Sequence, residues 1–390
     1  LEIPRKLSGF PVPDDIQAQW VQDQIINLRG IAVDTDFVRG AISCDALITT
    51  HLTDEAKSLT GLDNPNSVSP LKEWLEQETG NQINNLQKET IDKLLDEGME
   101  SNNAKRILEL RQQMSKTSVK KYQAMLDTVG QDGRSCGLLQ FYGANRTGRW
   151  AGRLVQVQNL PRTNIHNLSL ARELVKSQET DILRMIYGSI PNTLSQLVRT
   201  ALIAPEGKAL VSADYSAIEA RVIAWLAKEQ WRLDVFATHG KIYEASASQM
   251  FGVPLDRITK GNPEYELRQK GKVSELALGF AGSVGALKAM GALNMSIAED
   301  ELPEIVARWR EANPNIVNMW YAMEHAALEA VKTGCPQSTH GILFTREMDS
   351  ELDFMTITLP SGRKLYYANP AIGINRWNKE ALTYTGMDQT

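Results

Sequence analysis

The sequence predicts an α+β fold, on three observations. Apolar residues recur three and four apart over long stretches, the mark of helices with one buried face. Near the end, Phe354-Met355-Thr356-Ile357-Thr358-Leu359, the turn Pro360-Ser361-Gly362 and Lys364-Leu365-Tyr366-Tyr367 read as a β-hairpin. The helical stretches come in runs between strand-like segments instead of alternating with them singly, which speaks for α+β over a parallel α/β sheet. Hydrophobic residues at 42% and charged ones at 23% are the balance of a folded soluble protein, and 390 residues leave room for about two or three domains.

In chain order, residues 69–126 are helical by pattern. Leu71, Trp74 and Leu75 share a face, and Ile107, Leu108, Leu110 and Met114 resume the period after Asn102-Asn103, which predicts an antiparallel helical pair. Residues 143–161 read as a loop feeding a sheet, with Leu154-Val155-Gln156-Val157 a short alternating strand. The apolar run from Ala209 to Ala213 reads as a strand ending on Asp214, and Ile218, Val222, Trp225 and Leu226 then give a helical face. Residues 242–290 are mostly helical, punctuated by Gly252-Val253-Pro254 and Gly261-Asn262-Pro263. Residues 302–331 form another helix pair, broken at Asn313-Pro314.

A net charge of −5 argues, taken globally, against a nucleic-acid partner. Locally it does not. Between Lys105 and Arg162 eleven basic residues stand against three acidic ones, so the two signs are segregated along the chain as a phosphate footprint would require. The alternative is a solvated basic helix face, although the basic residues continue through loop-like sequence. Cys44, Cys136 and Cys335 are far apart and none sits in a C-x-x-C, which supports neither a disulfide framework nor a zinc ribbon and fits a reducing compartment. The longest apolar run, Leu276 to Leu287, is short of the roughly 20 residues a membrane helix needs, and the N-terminus has no secretion-signal pattern. A cytoplasmic protein without a membrane partner is expected.

Three constellations carry chemistry. A strand ending on Asp214 at the start of a helix places that carboxylate at a sheet edge, where it can hold a divalent metal with a neighbouring carbonyl; alternatively Asp214 caps the helix. Arg268, Lys272, Leu276 and Phe280 are four apart and share a helix face, two cations for phosphates and two apolar groups for a sugar and base; an amphipathic helix with its first turn in solvent is the bland reading. Arg146 and Arg149 on a Gly-containing loop, followed by Gln158 and Asn159, suit phosphate, sugar and groove contacts.

In combination and in this order, these segments resemble the polymerase region of family A DNA polymerases, the group of bacterial repair polymerases and many phage replicative enzymes, over essentially the whole chain. Residues 28–37 look like the family's leading segment and 64–71 like the start of its thumb. Thr147-Gly148-Arg149 through Gln158-Asn159-Leu160-Pro161 is similar to its T-G-R and Q-N-[IL]-P. Asp214 to Glu219 is similar to motif A and Arg268 to Phe280 to motif B. The resemblance implies a right-hand polymerase architecture with an antiparallel palm sheet, helical thumb and helical fingers. Its divisions would be 1–68 (leading segment and first part of palm and thumb), 69–140 (thumb), 141–230 (first part of the palm, with motif A), 231–340 (fingers, with motif B) and 341–390 (an incomplete palm hairpin).

It also implies template-directed DNA synthesis from dNTPs on a primer-template by a two-metal mechanism. Asp214 would bind two Mg2+ ions with the Tyr215 carbonyl. Glu219 would exclude a ribose 2′-hydroxyl, Arg149 would hold the primer end, and Arg268 and Lys272 would grip the triphosphate, Lys272 also protonating the pyrophosphate. Phe280 would lie near the templating base. Lys116, Lys120, Lys121, Arg146, Gln158 and Asn159 would contact DNA.

The chain departs from the family pattern at three places. Leu276 replaces the usual aromatic against the incoming sugar, and Tyr243 stands where many members have His. Motif C, a His-Asp-Glu turn, does not occur, so a separate C-terminal polypeptide carrying it is the expected partner; the alternative is a catalytically silent primer-template-binding module. A single-subunit RNA polymerase shares the outline, but Glu219 argues against it. Asp34-Thr35-Asp36 imitates a proofreading exonuclease motif; its place directly before the thumb-like segment favours a structural role, and no 3′ to 5′ exonuclease is expected.

Overall fold

A computed structural model describes residues 12–386 except positions 99, 116–118, 145–146, 296, 349–352 and 377. The chain divides into two compact units, one ending at Ser212 and one starting at Ala213.

The first unit begins with α1 (Asp14–Arg29) and β1 (Ile31–Val33), then α2 (Thr35–Thr60). Asp34 caps α2: its Oδ1 accepts the Phe37 N–H at 3.0 Å, while Oδ2 contacts Arg172 and lies 3.0 Å from Lys176. That carboxylate is therefore structurally engaged. The helical run that the sequence reads as one pair is four helices: α3 (Val68–Thr79), α4 (Lys88–Glu97), α5 (Asn102–Met114) and α6 (Lys120–Thr128). Gly80 in the left-handed region ends α3, and Ser101 caps α5 through the Ala104 N–H, so turn chemistry interrupts a continuous apolar period. Leu52, Leu71, Leu75, Ile107 and Leu110 bury the faces of these helices on the C-terminal half of α2.

There follow β2 (Arg134–Ser135), β3 (Leu139–Ala144) and β4 (Arg149–Gly152), then α7 (Leu168–Lys176), α8 (Thr180–Tyr187), α9 (Ile190–Leu197) and β5 (Leu202–Ile203). β1 lies between β2 and β5, antiparallel to both, and β3 pairs with β4. Phe37, Val38, Tyr122, Met125, Val155 and Leu194 form the core here, with the buried Tyr122 hydroxyl donating to the Leu194 carbonyl at 2.7 Å. Two expected strands are absent. Leu154 and Gln156 adopt φ of 55° and 53°, so residues 154–156 make a turn that buries Val155, and Val157–Asn159 is a short 3-10 helix. The Ala209–Ala213 run has no regular secondary structure, with Leu210 59% and Val211 91% exposed. Strand residues need a partner edge, and none pairs with this run among the described residues.

The second unit continues with α10 (Ile218–Ala227), α11 (Gln230–Thr238), α12 (Ile242–Phe251), α13 (Leu267–Leu278), α14 (Val284–Ala289), α15 (Leu302–Ala312) and α16 (Pro314–Thr333). The ends of α12 at Phe251 and of α15 at Ala312 fall at the predicted Gly-Val-Pro and Asn-Pro sites, whereas the break between Leu278 and Val284 was not predicted. Val273, Leu278, Leu287, Leu302, Trp309, Ile316 and Met319 are their common core. Strands β6 (Gln337–Thr339), β7 (Ile342–Met348), β8 (Asp353–Thr358), β9 (Lys364–Ile374) and β10 (Glu380–Thr385) form a five-stranded antiparallel meander. The predicted hairpin is its β8–β9 step, with Thr358 opposite Lys364. Ala326 and Ala330 of α16 pack on Ile342 and Phe344.

Candidate functional site

In the second unit, α12 and α13 meet backbone to backbone at Gly271, where a β-carbon would run into the Tyr243 carbonyl oxygen and crowd Ala247. That close approach puts Tyr243 and Glu244, in the first turn of α12, beside Arg268, in the first turn of α13. Arg268 Nε donates to Glu244 Oε1 at 2.8 Å, and the guanidinium lies 5.5 Å from the Tyr243 ring centroid and 5.9 Å from that of Tyr265. The hydrogen bond to Glu244 raises the Arg268 pKa further, so the group is a permanent cation.

Lys272, one turn on, is half-buried and makes no hydrogen bond or ion pair among the described residues. Leu276 is 42% exposed and Phe280 74%, but α13 ends at Leu278 and Ala281 turns with φ 57°. Phe280 therefore stands just past the last residue of the helix. The sequence reading missed Glu244; a carboxylate directly after Tyr243 at a helix start was the available signal. It also missed Glu275, an acid inside the apolar stretch Val273 to Leu278, which is buried against Arg232.

Asp214 lies in the exposed segment leading to α10, beside Tyr215, which is 81% exposed. The residue at the helix start is Ala217, with φ 50° and no side-chain cap, so Asp214 does not spend its carboxylate on capping. It makes no hydrogen bond or ion pair among the described residues. Arg221 Nε donates to the Ser216 carbonyl at 2.9 Å and its guanidinium lies 4.4 Å from the Phe236 ring centroid, which braces the turn. Glu219 is in the first turn of α10, exposed. Among the described residues there is no group of three or more His, Cys, Asp or Glu side chains able to hold a metal. Asp214 and the Tyr215 carbonyl suit a hard cation in kind, but they fall short of its usual six oxygen ligands.

In the first unit, the β3–β4 hairpin presents Arg149 opposite Ala144, after a turn with Gly148 at φ 68°. The Gln158 carboxamide seats on Gly152, where any side chain would collide with it, so the Thr147-Gly148-Arg149 and Gln158-Asn159 segments are held together. Gln158, Asn159 and Lys120 are exposed. Lys121 donates to the Val155 carbonyl at 2.8 Å, and burial lowers its pKa. Lys116 and Arg146 lie outside the described residues. A cavity of about 790 Å³ bordered by Ile31, Leu138, Leu139, Val157, Leu202 and Leu210 contains none of the predicted catalytic residues. No helix is long and apolar enough to cross a membrane among the described residues.

The family profile described as DNA polymerase family A matches residues 47–339. A DNA polymerase of Bacillus phage SP02 is 54% identical over 386 residues, which are 98% of this chain and 58% of the phage protein. DNA polymerase I of Pseudomonas aeruginosa is 30% identical over 145 residues, 37% of this chain and 14% of that protein. The chain thus spans just over half the length of its phage relative and far less of the bacterial one. Among solved structures, the POL domain of Pol1 from M. smegmatis in complex with DNA primer-template and dNTP matches with a TM-score of 0.52 at 20% identity, covering 80% of this chain and 48% of that one.

Proposed function

The chain belongs to DNA polymerase family A, and from that premise we propose that it takes part in template-directed DNA synthesis, transferring deoxynucleoside monophosphates from dNTPs to a primer 3′-hydroxyl. The observation that carries the reading is the face of α13. Arg268 is a permanent cation braced by Glu244 and Tyr243, Lys272 has no competing partner among the described residues, and Leu276 follows as an exposed apolar surface.

Arg268 and Lys272 hold the triphosphate, and Lys272 passes a proton to the departing pyrophosphate. Leu276, with Phe280 beyond the helix end, receives the sugar and base, and Glu219 rejects a 2′-hydroxyl. Arg149 steadies the primer end, while Gln158, Asn159 and the basic residues Lys116, Lys120, Lys121 and Arg146 contact the duplex. Asp214 and the Tyr215 carbonyl contribute ligands for two Mg2+ ions, which, when bound, stabilise the charge that collects on the transferred phosphate. A further carboxylate completes that set, and a C-terminal polypeptide is its proposed source. The division into palm, thumb and fingers stated from the sequence belongs to the same proposal. Proofreading is not part of it, since the Asp34 carboxylate is spent on a helix cap and two cations.

A second reading, a primer-template-binding module without catalysis, is favoured by the lack, among the described residues, of any group of three or more His, Cys, Asp or Glu side chains able to hold a metal. Primer extension separates the two. Synthesis with dNTPs and Mg2+, by the chain alone or with a C-terminal polypeptide supplying the missing carboxylate, is the expected result. No extension under either condition, with primer-template still bound, establishes the binding module. Labelled single-stranded DNA incubated with the chain and Mg2+ is expected to stay intact.

A further inference from the structure

Resting on the reading that α13 holds the triphosphate, we propose that Glu275 and Arg232 are positioning residues, a buried ion pair that sets the rotation and register of α13 and so aims Arg268 and Lys272. The side chains are 2% and 1% exposed. One guanidinium nitrogen of Arg232 donates to Glu275 Oε1 at 2.9 Å and to Asn313 Oδ1 at 2.9 Å, and the other contacts Glu275 Oε2. Trp309 Nε1 donates to Glu275 Oε1 at 3.0 Å, and Asn313 Nδ2 donates to the Trp309 carbonyl at 2.7 Å. Beside this knot, Glu229 accepts the N–H groups of Asn315 at 2.9 Å and Ile316 at 3.3 Å, fixing the start of α16. Groups from α11 and α15 therefore meet on the Glu275 carboxylate of α13, three residues after Lys272, and Asn313 at the turn into α16 ties the same arginine and tryptophan together.

Stability alone is a poor reason for such a pair. A buried ion pair gains little over apolar side chains of similar volume, because desolvation offsets most of the attraction. What it adds is direction: a two-pronged arginine–carboxylate contact fixes angle as well as distance. The rest of the buried face of α13 is Gly271, Val273, Ser274, Ala277 and Leu278, mostly small and non-directional, and Gly271 leaves α12 and α13 in smooth contact. Without the pair, that face can rotate or slide while remaining buried. The pair also neutralises the Glu275 charge, which otherwise stands one turn from Lys272 and opposes phosphate binding.

The test uses the full chain with primer-template and fluorescent mant-dATP in Mg2+ buffer, measuring mant-dATP affinity and Tm together. The double substitution Arg232→Met with Glu275→Leu removes both charges and keeps the volume. It is expected to keep Tm close to that of the unaltered chain while binding mant-dATP about tenfold more weakly. Glu275→Asp, which keeps the charges and shortens the tether by one methylene, is expected to lie between. Normal affinity in the double variant overturns the proposal; if the double does not fold, normal affinity in Glu275→Asp does so. Arg268→Ala separates the two possible failures. Unchanged affinity there removes the triphosphate reading itself, whereas weakened binding there with normal binding in the double variant removes only the positioning role.

Discussion

Asp34 shows how a residue that imitates a catalytic acid is used instead to hold a fold together. Burial by itself raises its pKa, but the Phe37 N–H, Lys176 and Arg172 outweigh that and hold the carboxyl below its ordinary range. A carboxyl whose folded pKa is depressed contributes stability that is complete above its unfolded value and is lost as pH falls through the folded one. Asp34→Asn can still cap α2, so its cost reports on the two cations left without their counter-charge. The expected loss is about 1–3 kcal/mol at pH 7, and the gap to the unaltered chain should begin to narrow below the ordinary carboxylate range and close only as pH falls through the depressed folded value, as followed by denaturant melts at falling pH. A gap that does not narrow at all as pH falls below the ordinary carboxylate range contradicts the assignment. At position 276 the side chain is a half-exposed leucine without a ring to lie against a sugar, and poor acceptance of dideoxynucleotides is expected in primer extension. Efficient termination by them contradicts the placing of Leu276 at the sugar.

Helices and strands differ in how far they can be read from their own residues. The contact of α12 with α13 depends on the missing side chain of Gly271, and Gly271→Ala must push the two helices apart. Overpacking of this kind costs about 1–3 kcal/mol, and because Tyr243 and Glu244 move away from Arg268, dNTP KM should rise in parallel with the fall in Tm. A variant with lower Tm and unaltered KM would show that the α12 contact does not aim Arg268. The α15–α16 break at Asn313-Pro314 and the β8–β9 turn were legible because proline and glycine act through local sterics. The stripe of Arg268, Lys272 and Leu276 was legible for the same reason, since spacing alone puts residues on one helix face. Residues 154–157 and 209–213 were misread as strands because alternation records a side chain's preference for burial and not the presence of a neighbouring edge. The pairing of Glu244 with Arg268 and the Arg232–Glu275 knot were illegible for a related reason: each joins residues 24 or 43 apart in sequence, even though Glu244 itself was marked by its place at a helix start.

Over the whole molecule, the net charge of −5 conceals a basic stretch whose members are not equally available to a phosphate backbone. Arg106 is paired with Glu55 at 2.6 Å, Arg111 donates to the Asn66 carbonyl, Lys121 to that of Val155, and Arg134 to those of Arg29 and Gly30. Each of these stabilises its own unit, and releasing one to meet DNA costs that contact. Lys105, Lys120, Arg153 and Arg162, by contrast, are exposed. Counterion release scales with the cations that reach phosphates, at a slope of about 0.9 per contact on duplex DNA. Eleven contacts would give a log–log salt slope of about −10, whereas these four exposed cations give about −4. Fluorescence anisotropy of a labelled primer-template over rising salt should return the shallower value. Lys120→Ala and Arg153→Ala should each remove about one unit from the slope with little effect on Tm, while Arg106→Ala should lower Tm and leave the slope alone. A slope near −10 means that the internal ties open when DNA binds, and a flat response removes the DNA-contact reading of this stretch.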